Sequence, residues 1–392
     1  MEMKKFVFKS VLFLIPFLAA IGIELFVLPI DFFTFRVWEA LVIREFRNIL
    51  PGEFYPNMEV TKIEEGDMAH HTQFTHKRKA KWVTDRYGYR KQNTNRNKHE
   101  VVIIGDSNIA GSGLTQDDIL SEVLEKKLKE SVYPVSPASL DTFFREKRFK
   151  KDPPDIVIIS SVERFVFYLP PVKVRLTKIS SKLKTQIREI GYRFRNQISG
   201  NYFIQCVGVT LDRIYKANML QYLRASLRRI GFSHSETVPS NSVSSKYGPV
   251  FFLIGADANK DVPEDRFEKA VEVIQAYDEL LRSKGIRFIF LPIPEKENIF
   301  HESLQTKRPV FLERLIFTLK NLGIETVDTQ KAFEDAFQKG VLLYHTNDTH
   351  WNENAVKITA ELIQELIERK KSISSLSMSM NTGRSSPMTP EK

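Results

Sequence analysis

Apolar and polar positions divide the chain into stretches of different period. From Phe6 to Ile30 the sequence is apolar, interrupted only by Lys9, Ser10 and Glu24, and Val11–Ile23 contains no polar side chain. At about 1.5 Å of rise per residue this run is long enough to cross the hydrocarbon core of a bilayer. Lys4, Lys5 and Lys9 at its start place the N-terminus in the cytoplasm. A cleaved signal peptide is the alternative. No A-x-A site follows, however, and the run continues as Leu25-Phe26-Val27-Leu28. Residues 1–30 are therefore expected to form one uncleaved transmembrane anchor. Everything after about residue 31 is then periplasmic or extracellular.

Residues 31–97 form a mixed, membrane-proximal segment. Phe32–Leu50 alternates aromatics with Arg and Glu, as a stretch lying along a membrane surface would. Thr84–Arg90 reads as a turn around Gly88. From residue 98 to 371 the pattern becomes α/β. Strands are expected at Val101–Ile104, Val132–Val135, Asp155–Ser161, Ile286–Leu291 and Ile324–Asp328. Helical periods fall at about 115–129, 264–284, 308–322 and 352–370, the first opened by a capping box at Thr115. Strands alternating with helices imply a parallel sheet covered on both faces. Active sites of such sheets lie beyond the C-terminal ends of the strands.

An insertion at about 164–246 interrupts the alternation. It carries 15 Lys and Arg against Glu189, Asp212 and Glu236, a local excess of +12, where the whole chain carries +10. Leu176, Ile179, Leu183, Ile187, Ile190 and Phe194 share one helical face, with Lys178, Lys182, Arg188 and Arg195 off it. Such a basic helix suits anionic lipid or an anionic polysaccharide, or is a surface helix with solvated lysines. Residues 372–392 are rich in Ser, Thr, Met, Asn and Pro and read as a disordered tail. Apolar residues make up 42% of the chain, which excludes a wholly disordered protein. Cys206 is the one cysteine, so neither an internal disulfide nor a cysteine-based zinc site can form.

Two short stretches carry chemistry. In Val101–Asn108 a buried strand ends at Gly105 and presents Ser107 at its C-terminal end, where a nucleophile is held rigidly near backbone N–H groups. In Asn347-Asp348-Thr349-His350-Trp351 the carboxylate and the imidazole are two residues apart, so in extended chain both point one way. A carboxylate there fixes the imidazole tautomer and stabilises the imidazolium. Alternatively Asp348 or Asn352 caps the last helix and His350 merely packs. The two stretches are about 240 residues apart, at the first and last βα connections. A parallel sheet brings both to one edge, so Ser107, His350 and Asp348 form a candidate triad.

These residues resemble the SGNH (GDSL-type) hydrolase superfamily. Gly105-Asp106-Ser107 matches its first block and the Asp348/His350 pair its last. The spelling Asp-Thr-His-Trp is similar to the alginate O-acetyltransferase group, membrane-associated proteins that O-acetylate exported polysaccharides. Gly88-Tyr89-Arg90, Glu163-Arg164, and Pro294-Glu295-Lys296 with Ile299-Phe300 look similar to that group too. The resemblance spans roughly residues 51–370. It implies an SGNH-hydrolase-like, flavodoxin-like α/β fold and an acyl-serine intermediate. It also implies a glycan acceptor and an acetyl donor that is a multi-pass membrane acyltransferase.

The sequence departs from the superfamily at the oxyanion donors. Ser136-Pro137-Ala138-Ser139 lacks the second-block glycine, and Ser161-Val162-Glu163-Arg164 lacks the third-block Gly-x-Asn-Asp. The remaining candidates are the Ser107 N–H, Asn108 and Arg164. Removal of one such donor costs about 10²–10³ in rate. Lys296 and Trp351 are candidate substrate contacts, each with a surface or core role as the alternative. His70, His71 and His76 lack carboxylates at ligand spacing, so no metal is expected, and no cofactor. No nucleic-acid motif accompanies the basic insertion. The expectation is a single-pass membrane O-acetyltransferase of an envelope or exported polysaccharide. The rivals are an esterase that uses water, and a non-catalytic glycan-binding or assembly protein with a degenerate domain.

Overall fold

The computed structural model describes residues 2–68, 74–93, 96, 98–172, 200–231, 242–246, 248–253 and 261–382. The basic amphipathic stretch 176–194, and His70 and His71, lie outside these residues.

The chain opens with a helix at Glu2–Phe26, within which Met3–Phe26 is long and apolar enough to cross a membrane. A short helix at Val37–Leu41 follows, then an antiparallel hairpin of β1 (Glu59–Glu64) and β2 (Arg78–Val83). Val37, Leu41, Ile43, Leu50, Phe54 and Trp82 pack into a core of their own. The expectation that Phe32–Leu50 lies along a membrane surface is therefore wrong for much of its length. Val37, Ala40, Leu41, Val42, Ile43 and Leu50 are buried inside the protein, with Trp38 and Phe46 half-buried against them.

The α/β unit contains β3 (Val101–Ile104), β4 (Val132–Val135), β5 (Ile156–Val162) and, after the two-stranded β6 (Ser242–Ser245) and β7 (Gly248–Phe251), β8 (Arg287–Ile293). The main sheet is parallel throughout in the order β4-β3-β5-β8. Its strands are continuously apolar because both faces are covered. Ile103, Ile158 and Ile289 face Leu120, Leu124, Val356 and Ile363. Their neighbours Ile104, Ile159 and Phe290 face Phe267, Ile274, Leu281 and Leu315 on the other side.

Three sequence expectations are corrected. The Thr115 capping box does not form, because the Thr115 hydroxyl accepts from the backbone of Lys81 in the hairpin. A 3-10 turn at Gln116–Asp118 intervenes, and the helix runs Leu120–Leu128. The strand expected at Ile324–Asp328 is reduced to one parallel bridge, Phe290 to Thr326. The last helix runs Glu353–Thr382, past the expected end at Lys370 and into the stretch read as a tail.

Arg90 joins the hairpin to the α/β unit. It is 1% exposed and stacks 3.8 Å from the Trp82 ring. Its guanidinium donates to the carbonyls of Ala110 (3.1 Å), Gly111 (2.5 Å), Leu114 (2.7 Å) and Lys81 (3.0 Å). The loop after Ser107 is thus fixed from outside the sheet. Arg90→Met strands four carbonyls and is expected to lower the free energy of unfolding by about 3–5 kcal/mol. Denaturant midpoints of the full chain in detergent test this, and an unchanged midpoint would contradict it.

Candidate active site

The turn after β3 is built by its own side chains. Asp106 Oδ1 accepts from the Asn108 N–H at 2.8 Å, and its Oδ2 accepts from the Val162 N–H at 3.2 Å, tying the turn to the end of β5. The Ser136 hydroxyl donates to Asp106 O at 2.5 Å. Gly105 is required by space: a Cβ there would lie 2.4 Å from Ile109 Cγ1. Ser107 is left at the strand end with its side chain toward the last βα connection.

His350 comes from that connection. Its Nε2 lies 2.8 Å from Ser107 Oγ, and its Nδ1 lies 2.5 Å from Asp348 Oδ1. The expected three residues are therefore in hydrogen-bond series, with Asp348 fully buried and His350 nearly so. Asp348 Oδ1 also accepts from the His350 N–H at 3.1 Å. An N–H at Nδ1 facing the carboxylate leaves Nε2 as the acceptor toward the serine, the tautomer a general base needs.

The sequence reading missed the hairpin's contribution. Arg78, at the start of β2, donates to Asp348 Oδ2 at 2.5 Å. Asp67 Oδ1 accepts from the Thr349 N–H at 2.9 Å and its Oδ2 from the Thr349 hydroxyl at 2.6 Å. That Oδ2 lies 3.6 Å from His350 Nδ1 and 3.7 Å from an Arg36 nitrogen. Gly66 permits this approach, since a Cβ there would lie 2.0 Å from Asn347 O. A glycine set in an acidic stretch, Glu64-Glu65-Gly66-Asp67, was the one signal available. Burial alone would push the Asp348 carboxyl up. The imidazole of His350 and the guanidinium groups of Arg78 and Arg36 outweigh this and hold it well below the usual carboxylate range.

Asp67, Asp348 and His350 are also the donors that converge as a metal set would. Two arginines already supply the positive charge there, and Nδ1 is committed to Asp348. The set suits proton transfer better than a cation. Of the three expected metal-candidate histidines, His76 is described, and its carbonyl accepts from the Asn347 carboxamide at 3.3 Å.

Four expected roles are corrected. Trp351 is fully buried and its indole N–H donates to Asn108 O at 3.3 Å, so its ring cannot stack on a sugar. Lys296 is 1% exposed, and its ammonium donates to the carbonyls of His345 (2.7 Å), Thr346 (3.0 Å) and Asp348 (3.2 Å). It pins the histidine loop and does not face substrate; burial pushes it down to about 7. Asn108 turns its amide toward Asp106 at 3.3 Å and its carbonyl oxygen to the Trp351 N–H at 3.3 Å, linking the two loops. Arg164 is ion-paired with Glu295. The Ser107 N–H has no acceptor among the described residues. In the second-block region the Ala138 N–H is spent on Gly105 O at 2.9 Å.

The other family-like stretches interlock behind the site. Glu163 accepts from the Glu295 N–H at 3.1 Å and from the Asn298 carboxamide at 2.5 Å, joining the end of β5 to the segment after β8. A cavity of about 310 Å³ opens beside the serine turn, lined by Gly105, Asp106, Ala138, Ser139 and Ser160 among others.

Residues 251–390 match a family model described as an SGNH hydrolase-like domain of the acetyltransferase AlgX. The matched stretch includes Asp348 and His350 and excludes Ser107. Among solved structures the chain is similar to a G-D-S-L family lipolytic protein from Desulfitobacterium hafniense DCB-2. Identity is 16% and the TM-score 0.32, covering 68% of this chain and 98% of that one. It is also similar to a GDSL-like lipase from Bacteroides thetaiotaomicron VPI-5482, at 13% identity and TM-score 0.31, covering 71% and 92%. A search of curated proteins returns no match. The α/β unit is SGNH-like, with a parallel sheet between helices and an apolar N-terminal helix ahead of it.

The depressed Asp348 pKa sets a pH dependence. Its stabilisation is fully present above about pH 4, the unfolded value, and is lost as pH falls through the folded value. Asp348→Asn is expected to cost about 3–5 kcal/mol at neutral pH. The gap to the wild type should narrow below about pH 4. Urea midpoints of both proteins, measured near neutrality and in acid, read this directly; a gap of constant size would contradict it.

Proposed function

We propose that this chain, an SGNH-like protein whose residues 251–390 match an acetyltransferase domain, is a membrane-anchored O-acetyltransferase of an envelope or exported polysaccharide. The observation that carries the reading is the 2.8 Å approach of His350 Nε2 to Ser107 Oγ, with Asp348 behind the imidazole. In the first step Ser107 Oγ attacks the acetyl carbonyl of the donor while His350 Nε2 takes the hydroxyl proton. The leaving group departs with that proton, and Ser107 carries the acetyl. A sugar hydroxyl then gives its proton to Nε2 and attacks the acyl-serine, and Nε2 passes that proton to Ser107 Oγ as the acyl bond breaks. Asp348, held by Arg78, stabilises the imidazolium in both steps. The Ser107 N–H supports the oxyanion.

By resemblance, the donor is a multi-pass membrane acyltransferase, and the N-terminal helix would keep the serine beside it. The family match favours transfer to sugar over transfer to water. An esterase would use the same three residues with water in the second step.

Ser107→Ala is expected to abolish glycan O-acetylation in cells. With purified full chain and p-nitrophenyl acetate, nitrophenol release and an acetyl mass increment on Ser107 should both vanish in the variant. Transfer of the acetyl to an added glycan supports the transferase; free acetate alone supports the esterase. Release unaffected by Ser107→Ala would remove the reading altogether. Lys296→Met retains the three residues and loses the loop's anchor. It should lower kcat about 10²-fold with little change in KM, because misplacement of the histidine acts on the chemical step. Steady-state kinetics on the same ester tests this, and a wild-type kcat would contradict it.

A further inference from the structure

The helix at Tyr202–Lys216 is amphipathic in the reverse sense for a soluble protein. The residues it buries are Gln205, Gly208, Asp212 and Lys216. The residues it turns outward are Phe203, Val207, Leu211 and Ile214, at spacings of four, four and three, with Phe203 74% exposed. Tyr202 and Tyr215 flank that row and are exposed as well. The next helix, Asn218–Gly231, adds exposed Leu220, Tyr222 and Leu223. Isolated exposed apolar residues are ordinary; a continuous row of this length marks a surface made for something other than water.

The inner face fixes this orientation. Asp212 accepts from the backbone of Arg44 (3.1 Å), Glu45 (2.8 Å) and Phe46 (3.2 Å) and from the Tyr55 hydroxyl (2.7 Å). Lys216 donates to Ala40 O at 2.9 Å. A Cβ at Gly208 would lie 3.0 Å from Leu50. Rolling the helix over to hide its apolar row would strand a buried carboxylate and a buried ammonium.

The outer face continues from the N-terminal helix. Arg213 donates to Leu25 O at 2.9 Å and Glu24 O at 2.5 Å, the last carbonyls of that helix, and the Phe33 ring lies 5.6 Å from the ring of Tyr222. We infer that the outer face of Tyr202–Lys216, extended by Asn218–Gly231, is seated in the lipid–water interface of the bilayer that holds the N-terminal helix. The inference rests on the reading of that helix as an anchor. Apolar side chains flanked by tyrosines fit the boundary between headgroups and acyl chains, and contact there would set the tilt of the domain above the membrane.

Cys206 lies exposed on this helix beside Val207, so a nitroxide probe can be placed without altering the row. The experiment uses the full chain in phosphatidylcholine vesicles, labelled at Cys206 and, in a Cys206→Ser background, at Leu211→Cys. Leu14→Cys reports the anchor and Lys320→Cys an aqueous reference. Collision rates with oxygen and with water-soluble nickel-EDDA are read by power saturation. The expected result is an oxygen-to-nickel ratio at both insertion sites several-fold above that at position 320, approaching that at position 14. Nickel access equal to position 320, with position 14 in lipid, overturns the inference and leaves the anchor standing. A wet position 14 overturns the anchor reading and the inference with it. Shielding from both reagents means a protein cover and also overturns it. Spin–spin broadening would identify that cover as a second copy; its lack would point to residues 173–199 of the same chain.

Discussion

A carboxylate without solvent contact has to be matched by donors on every side, and Asp348 is matched from three directions. His350 lies against one oxygen, Arg78 donates to the other, and the Asp67 N–H approaches that second oxygen at 3.3 Å. Two of these partners sit on the hairpin segment, some 270–280 residues away in sequence. The segment between the N-terminal helix and the α/β unit is therefore part of the site. Without Arg78 the carboxylate would be buried beside a neutral imidazole with one charge partner fewer, a state that costs several kcal/mol. The position of His350, and through it the reach to Ser107, depends on that match.

A second set of contacts holds the same loop from below. Lys296 binds three of its carbonyls, and Asn108 joins it to the serine turn. Both were expected to meet substrate or an oxyanion. Lys296 is instead spent on backbone carbonyls, and Asn108 on the Asp106 carboxylate and the Trp351 backbone, which explains why family-like residues cluster around a site they do not line. Arg90 does for the loop after Ser107 what Lys296 does for the loop before His350. Preorganisation of this kind holds Ser107 Oγ, His350 and Asp348 in the geometry that the proposed reaction needs.

The sheet was legible in the sequence because each central strand is a short apolar run bounded by a breaker, and both faces need apolar side chains. The serine and the aspartate–histidine pair were legible because a parallel sheet places the two loops on one edge. What was not legible is long-range polar pairing. Thr115 has the form of a helix cap, yet its hydroxyl is claimed by β2. Arg78 reads as one cation in the basic run Lys77–Lys81, with nothing local to mark it as the partner of a residue 270 positions away. Phe203, Val207, Leu211 and Ile214 have a helical period, but periodicity does not say which face turns inward. Asp212 decides that, through donors from residues 44–46 and Tyr55.

The central claim is that a hairpin arginine, acting through Asp348, readies Ser107 as a nucleophile. Covalent capture by a fluorophosphonate probe reads this without knowledge of donor or acceptor. Intact-mass kinetics of the full chain should show one adduct on Ser107, formed at least tenfold more slowly in Arg78→Met that retains its fold by circular dichroism. Capture of Ser107 at the wild-type rate in Arg78→Met would contradict the account.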